Sequence, residues 1–202
     1  MSTTRSFWLK PHVPLNGPYQ IDIVGRVMRN DDLLTVSYEI LGDLDKTVQP
    51  SAAAADQEPV PFWHTTQLKC FVALEDAPHY WEFQLQPDYN WVECFSPQPT
   101  SAWDFQISHN HDWSILRYDN YRLNPQRETN IHTVSYSLLS SPQALHTLLK
   151  IDLSKLSLTN RPLKIGLAAI AKLADKHTTY WALAYPQSGP DFHHPESFAL
   201  PI

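Results

Sequence analysis

The sequence predicts an all-β protein, an antiparallel β-sandwich of jelly-roll or immunoglobulin-like type with about nine to eleven strands. Three observations lead there. Apolar and polar residues alternate with period two through most of the chain. The 17 prolines, against only 5 glycines, fall mostly between those alternating runs, where a missing N–H costs no ladder bond. Helical periodicity is almost absent, one turn near Ser154 to Leu158 being the best candidate.

The clearest strand sets Leu34, Val36, Tyr38 and Ile40 on one face against Thr35, Ser37 and Glu39 on the other. Tyr19 to Val27 reads the same way, and Trp81, Phe83 and Leu85 alternate with Glu82, Gln84 and Gln86. Leu145 to Leu153 and Leu163 to Leu173 repeat the pattern. Tyr180 to Tyr185 is apolar on both faces, as a central strand would be. Prolines separate the runs at intervals of roughly 8 to 15 residues. Pro50 to Pro61 reads as a surface loop, and Pro97 to Asp112 as a loop insertion in which Trp103, Phe105 and Ile107 could add a strand. The 202 residues, 43% of them hydrophobic, suit one domain over 1–202 with one continuous core.

Charge and cysteine content narrow the partners. A formal charge of −6 without a run of Lys or Arg argues against nucleic acid and anionic membranes, which need a basic face. No stretch of about 18 apolar residues offers a membrane-spanning helix, and Met1 to His12 lacks a signal-peptide core. The expected location is cytoplasmic, where Cys70 and Cys94 would serve as small buried hydrophobes.

Three segments carry a resemblance. They are Tyr180 to Pro186, followed by Pro190 to His194 and by Ser197-Phe198; Tyr80 to Pro87, preceded by Trp63, Thr65 and Cys70-Phe71; and Ser37 to Leu44. Together they resemble the DOMON-like proteins, β-sandwich domains related to type 9 carbohydrate-binding modules and found in bacteria, including cyanobacteria. The resemblance implies a sandwich that binds a ligand without transforming it. The chain departs from the family pattern in the middle, where an Asp-Trp signal appears once around Asp88 to Phe95 and again from His111 to Arg122, as if about twenty residues were inserted.

Sugar recognition calls for flat rings that stack on pyranose C–H faces, with amides, carboxylates or guanidinium nearby. Trp63, Trp91, Trp103 and Trp113, with Asp88, Asn90 and Arg122, form such a set, and Asp112 and Asp119 stand beside it. The competing reading packs Trp63 and Trp113 into the core. A protein–protein module with the sugar site lost is the alternative function. The family's haem-binding members suggest a third reading, but of Met1 and Met28 only Met28 lies in a strand and no family His matches it, so Met28 reads as a core or rim residue.

No cofactor is expected. His109 to Asp112 and Asp191 to His194 lack a third ligand at a recognised spacing, so both read as loops, with Asp191 capping a turn. Asp22, Glu39, Asp43 and Asp45 leave structural calcium open. No phosphate loop, nucleophile elbow or metalloprotease helix is present, and neither a Glu82–Glu93 pair nor Cys70 has convincing catalytic context, so no enzyme is expected.

Overall fold

A computed structural model describes residues 2–15, 20–42, 66–85, 113–118, 126–127, 134–140, 144–173, 177–187 and 189–202. They form twelve strands: β1 (Ser2–Pro11), β2 (Ile21–Asn30), β3 (Leu33–Gly42), β4 (Gln67–Leu74), β5 (Tyr80–Leu85), β6 (Trp113–Tyr118), β7 (Gln126–Arg127), β8 (Val134–Ser140), β9 (Ala144–Asp152), β10 (Leu163–Lys172), β11 (Thr178–Ala182) and β12 (Leu200–Pro201). Every pairing among them is antiparallel. The fold class is therefore the one expected, since β7 and β12 are two-residue pairings appended to ten longer strands.

Two layers emerge from the strand order. The first runs β1-β2-β3-β9-β8 and the second β7-β6-β5-β4-β10-β11. β1 belongs to both, because Ser2 to Leu9 pair with β2 while Lys10 and Pro11 pair with β11. A strand that changes sheets in this way makes the corner of a sandwich. β12 pairs with Lys164 and Ile165, along the edge of β10 that β11 leaves free, since β11 covers only Ala168 to Lys172.

The core lies between the layers. Leu9, Ile23, Val27, Leu34, Val36, Tyr38, Leu149 and Ile151 of the first meet Leu68, Cys70, Val72, Phe83, Ile165, Leu167 and Trp181 of the second, all of them buried. Each large side chain so buried contributes about 1.5–3 kcal/mol. Tyr38 bridges the layers, its hydroxyl donating to the Lys69 carbonyl at 2.7 Å, so the polar end of a fully buried ring is satisfied. Its edge meets Phe7 with centroids 5.4 Å apart. Gly25 is the strand partner of both Phe7 and Tyr38 and leaves room for that contact.

Burial pushes the Tyr38 hydroxyl and the Cys70 thiol well above their ordinary pKa ranges. In the unfolded chain these groups ionise near ~10 and ~8.5, and the folded state holds the protonated forms. Their contribution to stability is therefore intact below about pH 8.5 and lost as pH rises above it. Urea midpoints measured from pH 7 to 11 should hold level and then fall. Cys70 in a Cys94→Ser background should react with a thiol reagent only as fast as the protein opens; prompt labelling at neutral pH would contradict the burial.

Two sequence expectations need adjusting. The strand expected over Tyr180 to Tyr185 ends at Ala182, because the chain turns away and Tyr185 donates its hydroxyl to the carbonyls of Lys10 and Tyr180 at 2.8 Å each. Its place between β10 and β1 is interior, as a central strand requires. β1 is the larger difference, for the amino-terminal stretch supplies a full ten-residue strand. The turn near Ser154 is a 3-10 turn at Leu153–Leu156, capped by Asp152, whose side chain accepts from the Ser154 N–H at 3.0 Å.

Candidate ligand-binding face on the second sheet

Along β4 and β5, Cys70, Val72, Trp81 and Phe83 point inward, so Lys69, Phe71, Ala73, Tyr80, Glu82 and Gln84 stand on the outer face. That face is not a plain solvent surface. Its neighbours on β10 and β11 are small, Gly166, Ala168 and Ala182, and they leave a depression. The segment after β11 fills it with Phe192 and Phe198, which pack with Phe71, Ala73 and Tyr80 as a second apolar cluster. Phe198 stacks on Phe71 at 5.5 Å and sits so close over Gly166 that a Cβ there would come within 2.5 Å of its ring.

Beside this apolar cover runs a polar strip. Lys69 Nζ donates to Glu82 Oε1 at 2.7 Å and to Gln84 Oε1 at 3.2 Å, and Gln84 Nε2 donates to Gln67 Oε1 at 3.1 Å. His193 joins from the carboxy-terminal segment, with Nε2 at 3.9 Å from Glu82 Oε2 and Nδ1 at 2.9 Å from the Tyr80 hydroxyl. The Glu82 side chain is only 2% exposed and that of Lys69 13%, so this is a buried ion pair inside a hydrogen-bonded row. Such groups are held rigidly, because each would be costly to leave unpaired.

The expected site residues relate to this face through the strand ends. Trp113 opens β6 directly opposite Leu85, the last residue of β5, so residues 86–112 connect two paired strand ends. The start of β4, just after Trp63, lies at the same end of the sheet. The connections bearing Trp63, Asp88, Asn90, Trp91 and Trp103 thus meet the second sheet at one end, where Gln67 and Gln84 finish the polar strip. Arg122 follows Tyr118, which pairs with Tyr80 at the opposite end. Trp63, Asp88, Asn90, Trp91, Trp103 and Arg122 lie outside the described residues, as do Glu93, Asp43, Asp45 and the 97–112 insertion. Position 113 falls on the same side of the sheet as Phe83, the side that faces the core.

Among the described residues no three His, Cys, Asp or Glu side chains converge as a metal site would need. Asp191 caps a turn as expected, its Oδ1 accepting from the His193 N–H at 3.1 Å, and His194 Nδ1 accepts from the Glu196 N–H. Glu82 is engaged by Lys69. Glu39 lies 3.9 Å from His146 on the outer face of the first sheet. No helix among the described residues is long and apolar enough to cross a membrane.

Sequence reasoning missed both the strip and one exposed ring. Lys69, Gln67 and His193 come from distant parts of the chain, so no local pattern joins them. Trp8, by contrast, is 63% exposed on the outer face of the first sheet, where Met28 and Leu33 are also exposed. Phe7 and Leu9 are buried while Trp8 between them faces out, and three apolar residues in a row show no alternation from which that could be read.

No family model matches the chain, and no curated protein matches it. Among solved structures it is similar to a "putative carbohydrate-binding protein" from Bacteroides uniformis, with 12% identity and a TM-score of 0.55, over 95% of this chain and 83% of that one. At that identity the likeness is one of fold.

Proposed function

We propose that the protein is a non-catalytic carbohydrate-binding module whose ligand meets the second sheet at its Leu85–Trp113 end. The observation that carries this reading is the convergence there of the Trp-bearing connections with the rigid row of Gln67, Gln84, Lys69 and Glu82. Stacking rings supply sugar affinity and fixed amides supply orientation. The DOMON-like resemblance and the description of the Bacteroides neighbour both support the sugar class. In this reading Trp63, Trp91 and Trp103 provide the rings, with Asp88 and Asn90 bonding hydroxyls.

The test is a titration of intrinsic Trp fluorescence with glucans, cello-oligosaccharides and amino-sugar wall fragments, with and without calcium, repeated on Trp91→Ala and Trp113→Ala. A saturable shift that disappears in Trp91→Ala is the expected result. A folded protein that responds to none of these sugars sinks the proposal.

One observation favours a second reading. Trp8 is exposed on the outer face of the first sheet, and a tryptophan standing out of a strand in this way suits the anchor of a protein contact. Pull-down of a protein lost with Trp8→Ser, in a chain that binds no sugar, would favour this interaction module.

A further inference from the structure

At the other end of the second sheet, away from the Leu85–Trp113 end, lies a pocket of about 220 Å³ between the turn that joins β4 to β5, strand β10 and the carboxy-terminal segment. Its buried floor includes the rings of Tyr80 and Phe198, with centroids 5.1 Å apart. Pro78 and Pro195 line it as further rigid apolar surface. Glu75 and Lys164 are the charged residues of its lining, and their side chains remain 56% and 43% exposed, which sets them at the mouth. We propose that this pocket binds a free α-amino acid with an apolar side chain.

The charges select the ligand class. Lys164 Nζ lies 3.8 Å from Glu75 Oε1, well beyond the ~2.7–2.9 Å of a charge-assisted hydrogen bond, so both groups keep bonding capacity for a ligand. Parting an exposed pair of this kind costs less than about 1 kcal/mol. A zwitterion replaces what is lost at both ends, its carboxylate meeting Lys164 and its ammonium meeting Glu75. The side chain then rests against Ala77, Pro78 and Pro195, the accessible apolar wall of the pocket. A simple anion or cation answers only one of the two charges, and a neutral sugar answers neither in full. The volume is below the ~300 Å³ at which drug-sized pockets begin, so the occupant is one small molecule.

Calorimetric titration of the full chain with L-leucine and L-phenylalanine tests this. Saturable binding is expected, weakened at least about tenfold when either charge is removed in N-acetyl-L-leucine or L-leucinamide, a loss equivalent to ~1.4 kcal/mol. Lys164→Glu should abolish binding while leaving the urea midpoint in place, and the charge-swapped Glu75→Lys/Lys164→Glu protein should bind again. Failure of both amino acids to bind, equal binding of the blocked forms, or displacement of leucine by glucose would overturn the proposal. Because the pocket lies at the Tyr80 end of the sheet, opposite the Leu85–Trp113 end, the outcome does not depend on the sugar reading.

Discussion

Replacing Gly25 with alanine should cost the fold about 3 kcal/mol or more, at the upper end for overpacking a core. A Cβ at this position would lie 1.9 Å from the Ser37 carbonyl oxygen and 2.6 Å from Cζ of Phe7. The first obstacle is backbone, so rotamer changes cannot relieve it. β2 and β3 would have to separate where the Ser37 hydroxyl already accepts from the Arg26 N–H at 3.2 Å. Chemical denaturation followed by far-UV circular dichroism measures the loss. Adding Phe7→Ala separates the two obstacles: it removes the ring and leaves the carbonyl, so it should not rescue Gly25→Ala. A wild-type midpoint for Gly25→Ala, or full rescue by Phe7→Ala, would show that the approach of β2 to β3 is looser than described.

Lys69→Met should destabilise by about 3–5 kcal/mol, the cost of removing one partner of a buried ion pair. Glu82 is then left at a position 2% exposed without the ammonium 2.7 Å away, and Gln84 loses a donor at 3.2 Å. The double variant Lys69→Met/Glu82→Leu should recover more than half of the loss, since two apolar residues of similar volume need no mutual compensation. A double-mutant cycle in urea is the measurement. Additive losses would mean that Lys69 and Glu82 act independently, and the polar strip would then give no rigid support to the adjoining end of the sheet.

That strip also marks how far the sequence is legible. Alternation along Trp81-Glu82-Phe83-Gln84 correctly separates two sides of β5, but it presents the Glu82 side as solvent-facing. Only the folded chain brings Lys69 from β4 and His193 from beyond β11 against that side. The same limit explains Trp8. Three apolar residues in succession hide a period of two, and which of them faces inward depends on the pairing of Phe7 with Gly25. The aromatic set from Trp63 to Trp113 was visible as composition, yet that the start of β4, the end of β5 and the start of β6 share one end of the sheet follows from strand order, which no spacing along the chain encodes.

The sequence by itself determined that this protein is an antiparallel sandwich, because the alternation of side chains along a strand is a local property of the pleated backbone. It also marked Leu34, Val36, Tyr38, Ile40, Trp81 and Phe83 as the inward set. The tertiary structure alone decided that β1 joins the two layers, that the carboxy-terminal segment covers the outer face of the second sheet, and that a buried row and a small charged-mouth pocket lie at its two ends. Those features arise from contacts between residues far apart in the chain, such as Tyr80 with His193 or Gly166 with Phe198. Their energies depend on which surfaces meet, and the periodicity of one strand carries no information about that.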